Sequence, residues 1–169
     1  MTRALLVSVA LAGLVAWVAT SWAQTRPDFS GTWSFDQTNS DPAPARRGGG
    51  GGRGGRGGGA VVATSMTIRQ TQAELTIERV TGQGTQTLVY KLDGSESTNT
   101  LGQGEAKSKA SWEGATLVIA TTQSFEGPNG TITIESKEVY SVNGGVLTIQ
   151  TTRTTPGGTQ NRKLVYNKG

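Results

Sequence analysis

The chain has 169 residues, enough for a single domain, and a formal net charge of +4. It contains no cysteine and no histidine. These absences exclude a disulfide framework and every catalytic or metal site that requires either residue, so the fold must rest on its core. Carboxylates, lysine and tyrosine are what remain for chemistry. The composition therefore predicts a protein that is not an enzyme and that holds no cofactor or metal.

The N-terminal segment has the pattern of a secretory signal peptide. One basic residue, Arg3, precedes a long apolar run, and small residues stand at the positions before Gln24. The pattern predicts a signal peptide over residues 1–23, cleaved after Ala23, and export to the periplasm or the extracellular space. An uncleaved anchor is the alternative, because the apolar run approaches the ~18 residues that can span a bilayer.

Residues 45–60 read ARRGGGGGRGGRGGGA and predict a disordered loop at about residues 42–60. Without Arg3 and the four arginines of this loop, the formal charge of the chain is −1, so the basic character belongs to the loop. The loop has no aromatic residue on which a base could stack, and nucleic acid is not expected as a partner. Weak contact with an anionic membrane or envelope surface stays open through the arginines of the loop, Arg46, Arg47, Arg53 and Arg56.

From about Val61 onward, threonine, valine and isoleucine alternate with polar residues at period two, and turn signals containing glycine recur. This pattern predicts an all-β fold, an antiparallel up-and-down meander of about eight to ten strands. The predicted turns are Gly82–Gln83, Asp93–Gly94, Glu113–Gly114, Asn143–Gly144 and Pro156–Gly158. Residues that flank a two-residue turn point to the same face, so each turn fixes the inward parity of the next strand.

One apolar face persists through the whole meander and includes Tyr140, Ile149 and Leu164. A single wrapped sheet with an even number of strands can pair its first strand with its last. The sequence therefore predicts one closed barrel domain over residues 24–169. A β-sandwich of two sheets is the alternative.

The first predicted strand contains Gly31-Thr32-Trp33, which resembles the G-x-W element at the start of the first strand in lipocalins. The resemblance implies a lipocalin-like, calycin-type barrel of an exported bacterial protein over about Phe29–Lys168. In that family the tryptophan closes one end of the barrel, and a basic residue of the last strand packs over it. Arg162 is the expected counterpart, with Lys163 beside it on the outer face. The loop of glycine and arginine would then act as a flap over the barrel mouth.

Two adjacent strands carry small inward residues, which would leave room for a ligand. These residues are Ser95, Ser97, Asn99, Ala106, Ser108 and Ala110. Tyr90 and Trp112 flank the region and would give it an aromatic wall with polar tips. A partly disordered pair of strands is the alternative interpretation.

Glu138 is the one acidic residue that the parity turns inward. A buried carboxylate needs a partner, and Arg162, inward two strands away, is the predicted one. A β-bulge near Ser136 would instead turn Glu138 outward.

The sequence predicts an exported, lipocalin-like binding module for a small, largely apolar molecule in the barrel lumen. The candidate ligand-binding residues are Tyr90, Asn99, Trp112, Glu138 and Tyr140, and the predicted barrel-end residues are Trp33 and Arg162. The alternative is a filled, non-enzymatic structural or surface-interaction barrel whose loop contacts anionic envelope components. A carboxylate-based enzyme would need a second inward acid roughly 5–10 Å from Glu138, and the parity supplies none.

Overall fold

The computed structural model describes residues 26–42, 62–102, 104–127 and 130–169. The predicted signal peptide and nearly all of the loop at residues 42–60, including its four arginines, lie outside the described residues. Within those ranges no helix has the length and apolar character that crossing a membrane requires.

The described residues form one antiparallel up-and-down sheet of ten strands, with no helix. The strands are β1 (Gly31–Phe35), β2 (Ala63–Gln70), β3 (Glu74–Thr81), β4 (Gly84–Lys91), β5 (Glu96–Leu101), β6 (Gly104–Glu113), β7 (Thr116–Gly127), β8 (Gly130–Asn143), β9 (Val146–Thr155) and β10 (Gly158–Lys168). Each strand pairs with the next except β4 with β5, and β1 also pairs with β10. The all-β meander and the closure of its first strand on its last are confirmed, with a strand count of ten.

Apolar side chains at alternate strand positions form a single core inside the barrel. The largest fully buried side chains are Trp33, Tyr140, Tyr166, Phe29, Met66, Ile68, Leu75, Ile77, Leu88, Leu117, Ile119 and Leu147. The predicted inward parity is confirmed, because Ile149 pairs with both Tyr140 and Leu164. Removing this apolar surface from water, at about 25 cal/mol per Å², is the main stabilising contribution.

Two of the predicted turns lie one residue further along the chain than expected. Gly144–Gly145 joins β8 to β9 with φ values of 56° and 81°, and Asn143 pairs with Val146. A primed hairpin turn needs positive φ at both central positions, which two glycines adopt without strain. Gly114–Ala115 likewise joins β6 to β7. The predicted inward face is unchanged. When a turn is displaced by one residue, the flanking pair moves by one residue on both strands, so the same residues still share a face.

One end of the barrel is closed by the residues that precede β1. Phe29 is fully buried, and its ring stacks on Trp112 with the centroids 5.9 Å apart. The same ring meets the edge of Tyr140 at 6.2 Å. Trp33 Nε1 donates a hydrogen bond of 2.9 Å to the backbone oxygen of Phe29. We call this the plugged end, and the opposite end, where β9 turns into β10, the loop end.

The basic residue over Trp33 is Lys168, not Arg162. Lys168 Nζ lies 5.5 Å from the centroid of the Trp33 ring, and the two residues pair across β1 and β10. Arg162 stands earlier on β10, toward the loop end. The G-x-W element therefore has its basic partner on the predicted strand, but at a different residue.

A seam runs between β4 and β5, whose described backbones form no ladder. The hairpin pairing predicted at Asp93–Gly94 is therefore wrong. Side chains of β5 take the place of the ladder, since Val89 N donates to Asn99 Oδ1 (2.8 Å) and Asn99 Nδ2 donates to Val89 O (2.9 Å). Lys91 N also donates to Ser97 Oγ (2.8 Å). A side chain between the strands keeps the backbones too far apart for direct pairing.

Replacing the bridging amide by Asn99→Ala is expected to lower the free energy of unfolding by about 2–3 kcal/mol, because Val89 loses both hydrogen-bond partners. Urea denaturation measures the loss, and hydrogen exchange at the Val89 amide should accelerate. Thr98→Ala, on the exposed face of the same strand, is the matched control and should cost less than about 0.5 kcal/mol. Equal losses in the two variants would contradict a bridging role for Asn99.

Candidate functional site

The inward residues of β6 to β10 form rows across the barrel wall that change from apolar to polar with distance from the plugged end. The first row that crosses all five strands consists of Trp112, Leu117, Tyr140, Ile149 and Leu164. The second row consists of Ala110, Ile119, Glu138, Thr151 and Arg162. The third row consists of Ser108, Thr121, Ser136, Arg153 and Gln160. Charges and hydroxyl groups are thus concentrated in the second and third rows, between the first, apolar row and the loop end. We call these two rows, together with Arg79 of β3, the belt.

Glu138 faces inward, as predicted, but its partner is Arg79 rather than Arg162. Arg79 Nη2 lies 3.1 Å from Glu138 Oε2 and 2.9 Å from Tyr140 Oη. Tyr140 Oη donates to the same Glu138 Oε2 at 2.7 Å. The side chains of Arg79 and Glu138 are only 18% and 21% exposed, so the pair is largely removed from water. The register of β8 runs unbroken through Ser136, so the alternative of a bulge there is not found.

The sequence prediction missed two inward arginines that obey its own rule. Arg79 stands two residues after the buried Ile77 on β3, and Arg153 stands two residues after Thr151 on β9. Both are partly buried. Extending the period-two parity by one step beyond Ile77 on β3 and by two steps beyond Ile149 on β9 would have found them.

Tyr166 is buried on β10, two inward positions beyond Arg162 toward the plugged end. Burial raises the pKa of its phenol from 10.0 to about 12. Arg79 is the next influence and lowers that pKa, Glu138 raises it, and Arg162 lowers it.

Four buried nitrogen atoms have no hydrogen-bond partner within the described residues. They are Arg79 Nε, Arg162 Nε and Arg162 Nη1 of the belt, and Trp112 Nε1 of the apolar row. All four are hydrogen-bond donors. A buried donor without an acceptor costs about 1–3 kcal/mol. These nitrogens can therefore donate to an acceptor that the described residues do not supply.

The charges of the belt do not cancel. Its inward charged residues, within the part of the chain that the structure describes, are Arg79, Glu138, Arg153 and Arg162. Glu138 neutralises Arg79, and the described ion pairs include neither Arg153 nor Arg162. Arg162 keeps one contact, from Nη2 to the backbone oxygen of Asp41 at 3.3 Å. The belt therefore carries two positive charges that nothing described here balances.

The remaining predicted ligand residues, Tyr90, Asn99 and Trp112, lie on β4, β5 and β6. Tyr90 is buried on β4, and burial raises its pKa to about 12. Trp112 lies against Phe29, with the guanidinium of Arg26 at 5.4 Å from the ring centroid. Asn99 uses both polar atoms of its side chain in the seam. Among the five candidates, the described hydrogen bonds join only Glu138 and Tyr140, and the ligand contacts of all five stay predictions.

The small inward residues of β6 are buried, and the room that the sequence predicts beside them stays a prediction. Ala106, Ser108 and Ala110 are 0%, 2% and 1% exposed. Ser108 Oγ lies 2.8 Å from Thr121 Oγ1, so its hydroxyl is satisfied by the neighbouring strand. This wall faces the lumen with short side chains beside the charged belt.

A separate groove of about 420 Å³ lies on the outer face of β5 to β9. Its rim carries solvated charges such as the ion pair of Lys107 and Glu96, whose side chains are 63% and 46% exposed. Such surface pairs contribute about 0–1 kcal/mol, and no buried polar group points into the groove from the described ranges. No three histidine, cysteine, aspartate or glutamate residues of the described chain could together hold a metal ion. The chemistry is therefore concentrated in the lumen.

Several solved structures share this architecture, although no protein-family model and no curated protein matches the sequence. The apo form of lipid binding protein 8 from Caenorhabditis elegans has a TM-score of 0.56 at 12% identity, over 83% of this chain and 95% of that one. The REP1-NXSQ fatty acid transporter has a TM-score of 0.53 at 14% identity, over 83% and 95%. Human cRBP IV has a TM-score of 0.53 at 18% identity, over 85% and 100%. The chain has the β-barrel fold of these structures. At such identities the likeness concerns the fold alone.

Proposed function

We propose that the protein is an exported binding module that holds a small, largely apolar molecule with an acidic head group in the barrel lumen. The observation that carries this proposal is the set of three buried donors of the belt, Arg79 Nε, Arg162 Nε and Arg162 Nη1, that have no acceptor in the described chain. An oxyanion would accept from several of them at once. Arginine is suited to this, because its planar fork binds carboxylate and phosphate oxygens in pairs.

The apolar part of such a molecule also has a surface to contact. Short inward side chains line the neighbouring wall, and apolar residues flank the turn between β7 and β8 at the loop end. There Phe125 pairs with Ile132 across the two strands, and Phe125 is 40% exposed. A head group in the charged belt would place the tail toward this exposed apolar pair. The fold is shared with a fatty acid transporter and a lipid binding protein, which supports the same class of ligand.

The second candidate function is a filled, non-enzymatic barrel in a structural or surface-interaction role. Phe29 favours it, because its ring occupies the plugged end of the lumen against Trp112 and Tyr140. In that case the loop of glycine and arginine would contact anionic envelope components. The two candidates differ in whether the barrel takes up a guest.

Titration calorimetry with dodecanoate tests the proposal. The chain is expected to bind one equivalent, and Arg162→Gln should weaken binding about tenfold or more, because a hydrogen-bonded charge pair is lost. Lys163→Gln is the matched control, since it removes the same charge from the exposed face of the same strand. Its affinity should stay within about twofold of the original.

Two outcomes would contradict the proposal. A chain that unfolds cooperatively but takes up no dodecanoate would favour the filled barrel. Saturable binding that responds equally to Arg162→Gln and Lys163→Gln would place the ligand outside the lumen.

A further inference from the structure

We infer that the head group bound in the belt carries two negative charges, as a phosphate monoester of an apolar chain does. This inference rests on the proposed function and specifies its ligand. It follows from the charge of the belt, where Glu138 neutralises Arg79 and leaves the charges of Arg153 and Arg162 unbalanced.

The two unbalanced arginines stand on neighbouring strands. Arg162 pairs with Thr151, and Arg153, two residues further along β9, pairs with Gln160. Their inward positions are thus diagonal neighbours, roughly 7–8 Å apart between adjacent strands, which long side chains can bridge. A single oxyanion of tetrahedral shape can accept from both guanidinium groups. A carboxylate can also accept from two arginines, but it brings one negative charge, whereas a phosphate monoester brings two.

Glu138 sets the net positive charge that the belt offers to a ligand. Its Oε2 accepts from both Arg79 Nη2 and Tyr140 Oη, which fixes Arg79 as an internally neutralised pair. Arg79 still presents its unpartnered Nε as a hydrogen-bond donor. Glu138 therefore limits the net positive charge that a guest can neutralise to two. Without it, the belt would carry three.

A set of ligands with the same alkyl chain separates charge from shape. Dodecanoate and dodecyl sulfate are monoanions, whereas dodecyl phosphate is a dianion near pH 8, because its second pKa is about 6. The chain is expected to bind dodecyl phosphate about tenfold or more tightly than either monoanion. Inorganic phosphate, which lacks the apolar chain, should bind at least about tenfold more weakly than dodecyl phosphate.

Variants identify the residues that set this preference. Arg153→Gln and Arg162→Gln should each reduce the ratio of phosphate to carboxylate affinity, and Glu138→Gln should raise it. Glu135→Gln, which removes a carboxylate from the exposed face of β8, is the matched control and should leave the ratio unchanged. If Glu138→Gln fails to fold, the two arginine variants still decide the matter.

Each of the other possible outcomes contradicts either the inference alone or the inference together with the proposed function. Equal binding of dodecanoate and dodecyl phosphate would overturn the inference and leave the proposed function standing. Equal binding of dodecyl sulfate and dodecyl phosphate would show selection by shape, not by charge. Inorganic phosphate that binds as tightly as dodecyl phosphate would show that the site takes free phosphate. A folded chain that binds none of these compounds would overturn both the inference and the proposed function.

Discussion

Above about pH 10, the free energy of unfolding is expected to fall by about 4 kcal/mol for each pH unit. All three tyrosines of the chain, Tyr90, Tyr140 and Tyr166, are at most 4% exposed. Burial raises the pKa of Tyr90 and Tyr166 to about 12 and that of Tyr140 well above its ordinary value of 10.0. The folded chain therefore keeps its phenols neutral where the unfolded chain loses their protons. This stability is fully present below about pH 10 and is lost as the pH rises toward 12.

Urea denaturation near pH 9 and near pH 11 measures the effect, and tyrosinate absorbance reports ionisation directly. The folded chain should show no phenol titration near pH 10 until it unfolds. Tyr90→Phe is the matched variant, because it removes one buried phenol for which no hydrogen bond is described, and it should reduce the slope by about a third. Normal titration of the phenols in the folded chain would show that the barrel admits water and hydroxide.

The parity of the strands could be predicted from the sequence because side chains alternate strictly along a strand. That rule placed Tyr140, Ile149 and Leu164 on one face and turned Glu138 inward, and the structure agrees. It tolerates a turn that is displaced by one residue, because the pairing then moves on both strands together. The inward face was therefore predictable even where the turns were not.

The partners across the lumen were not predictable from the same rule. Parity says which face a residue takes, but the residues that meet across a barrel depend on its circumference and on the stagger of its strands. Glu138 on β8 reaches Arg79 on β3, a contact between residues 59 positions apart. Lys168 covers Trp33 for a related reason, since the register of β1 against β10 is set by the closure of the whole sheet.

The absence of a ladder between β4 and β5 could not be predicted from the sequence either. A turn signal at Asp93–Gly94 between two segments of period-two alternation favours a hairpin, but the described backbones of β4 and β5 form no ladder. The amide of Asn99 instead binds both the N–H and the C=O of Val89 and holds the strands apart. A period-two pattern records only that Asn99 points inward. It cannot record that a side chain replaces the ladder.

Glu138→Lys is expected to lower the free energy of unfolding by about 3–5 kcal/mol. The change removes the counter-ion of Arg79 and adds another positive charge to a belt that already carries Arg153 and Arg162. Both members of the pair are about four-fifths buried, so water screens this repulsion poorly. Glu135→Lys makes the same chemical change on the exposed face of β8, and it should cost less than about 1 kcal/mol. Identical melting curves for the two variants would contradict the inward placement of Glu138.

Removing both charges separates stability from binding. Replacing a buried ion pair by apolar side chains of similar volume is often neutral or stabilising by about 1–4 kcal/mol. That gain offsets the loss of about 1–3 kcal/mol where the buried Tyr140 hydroxyl gives up both partners, so Arg79→Met with Glu138→Leu should still fold. If the pair served only the fold, this double variant would bind dodecanoate as the original chain does. If the pair helps to hold the head group, affinity should fall although stability does not, because Arg79 Nε is one of the unpartnered donors. A stable double variant with weakened binding would therefore assign the buried charges to the ligand, since the barrel would hold together without them.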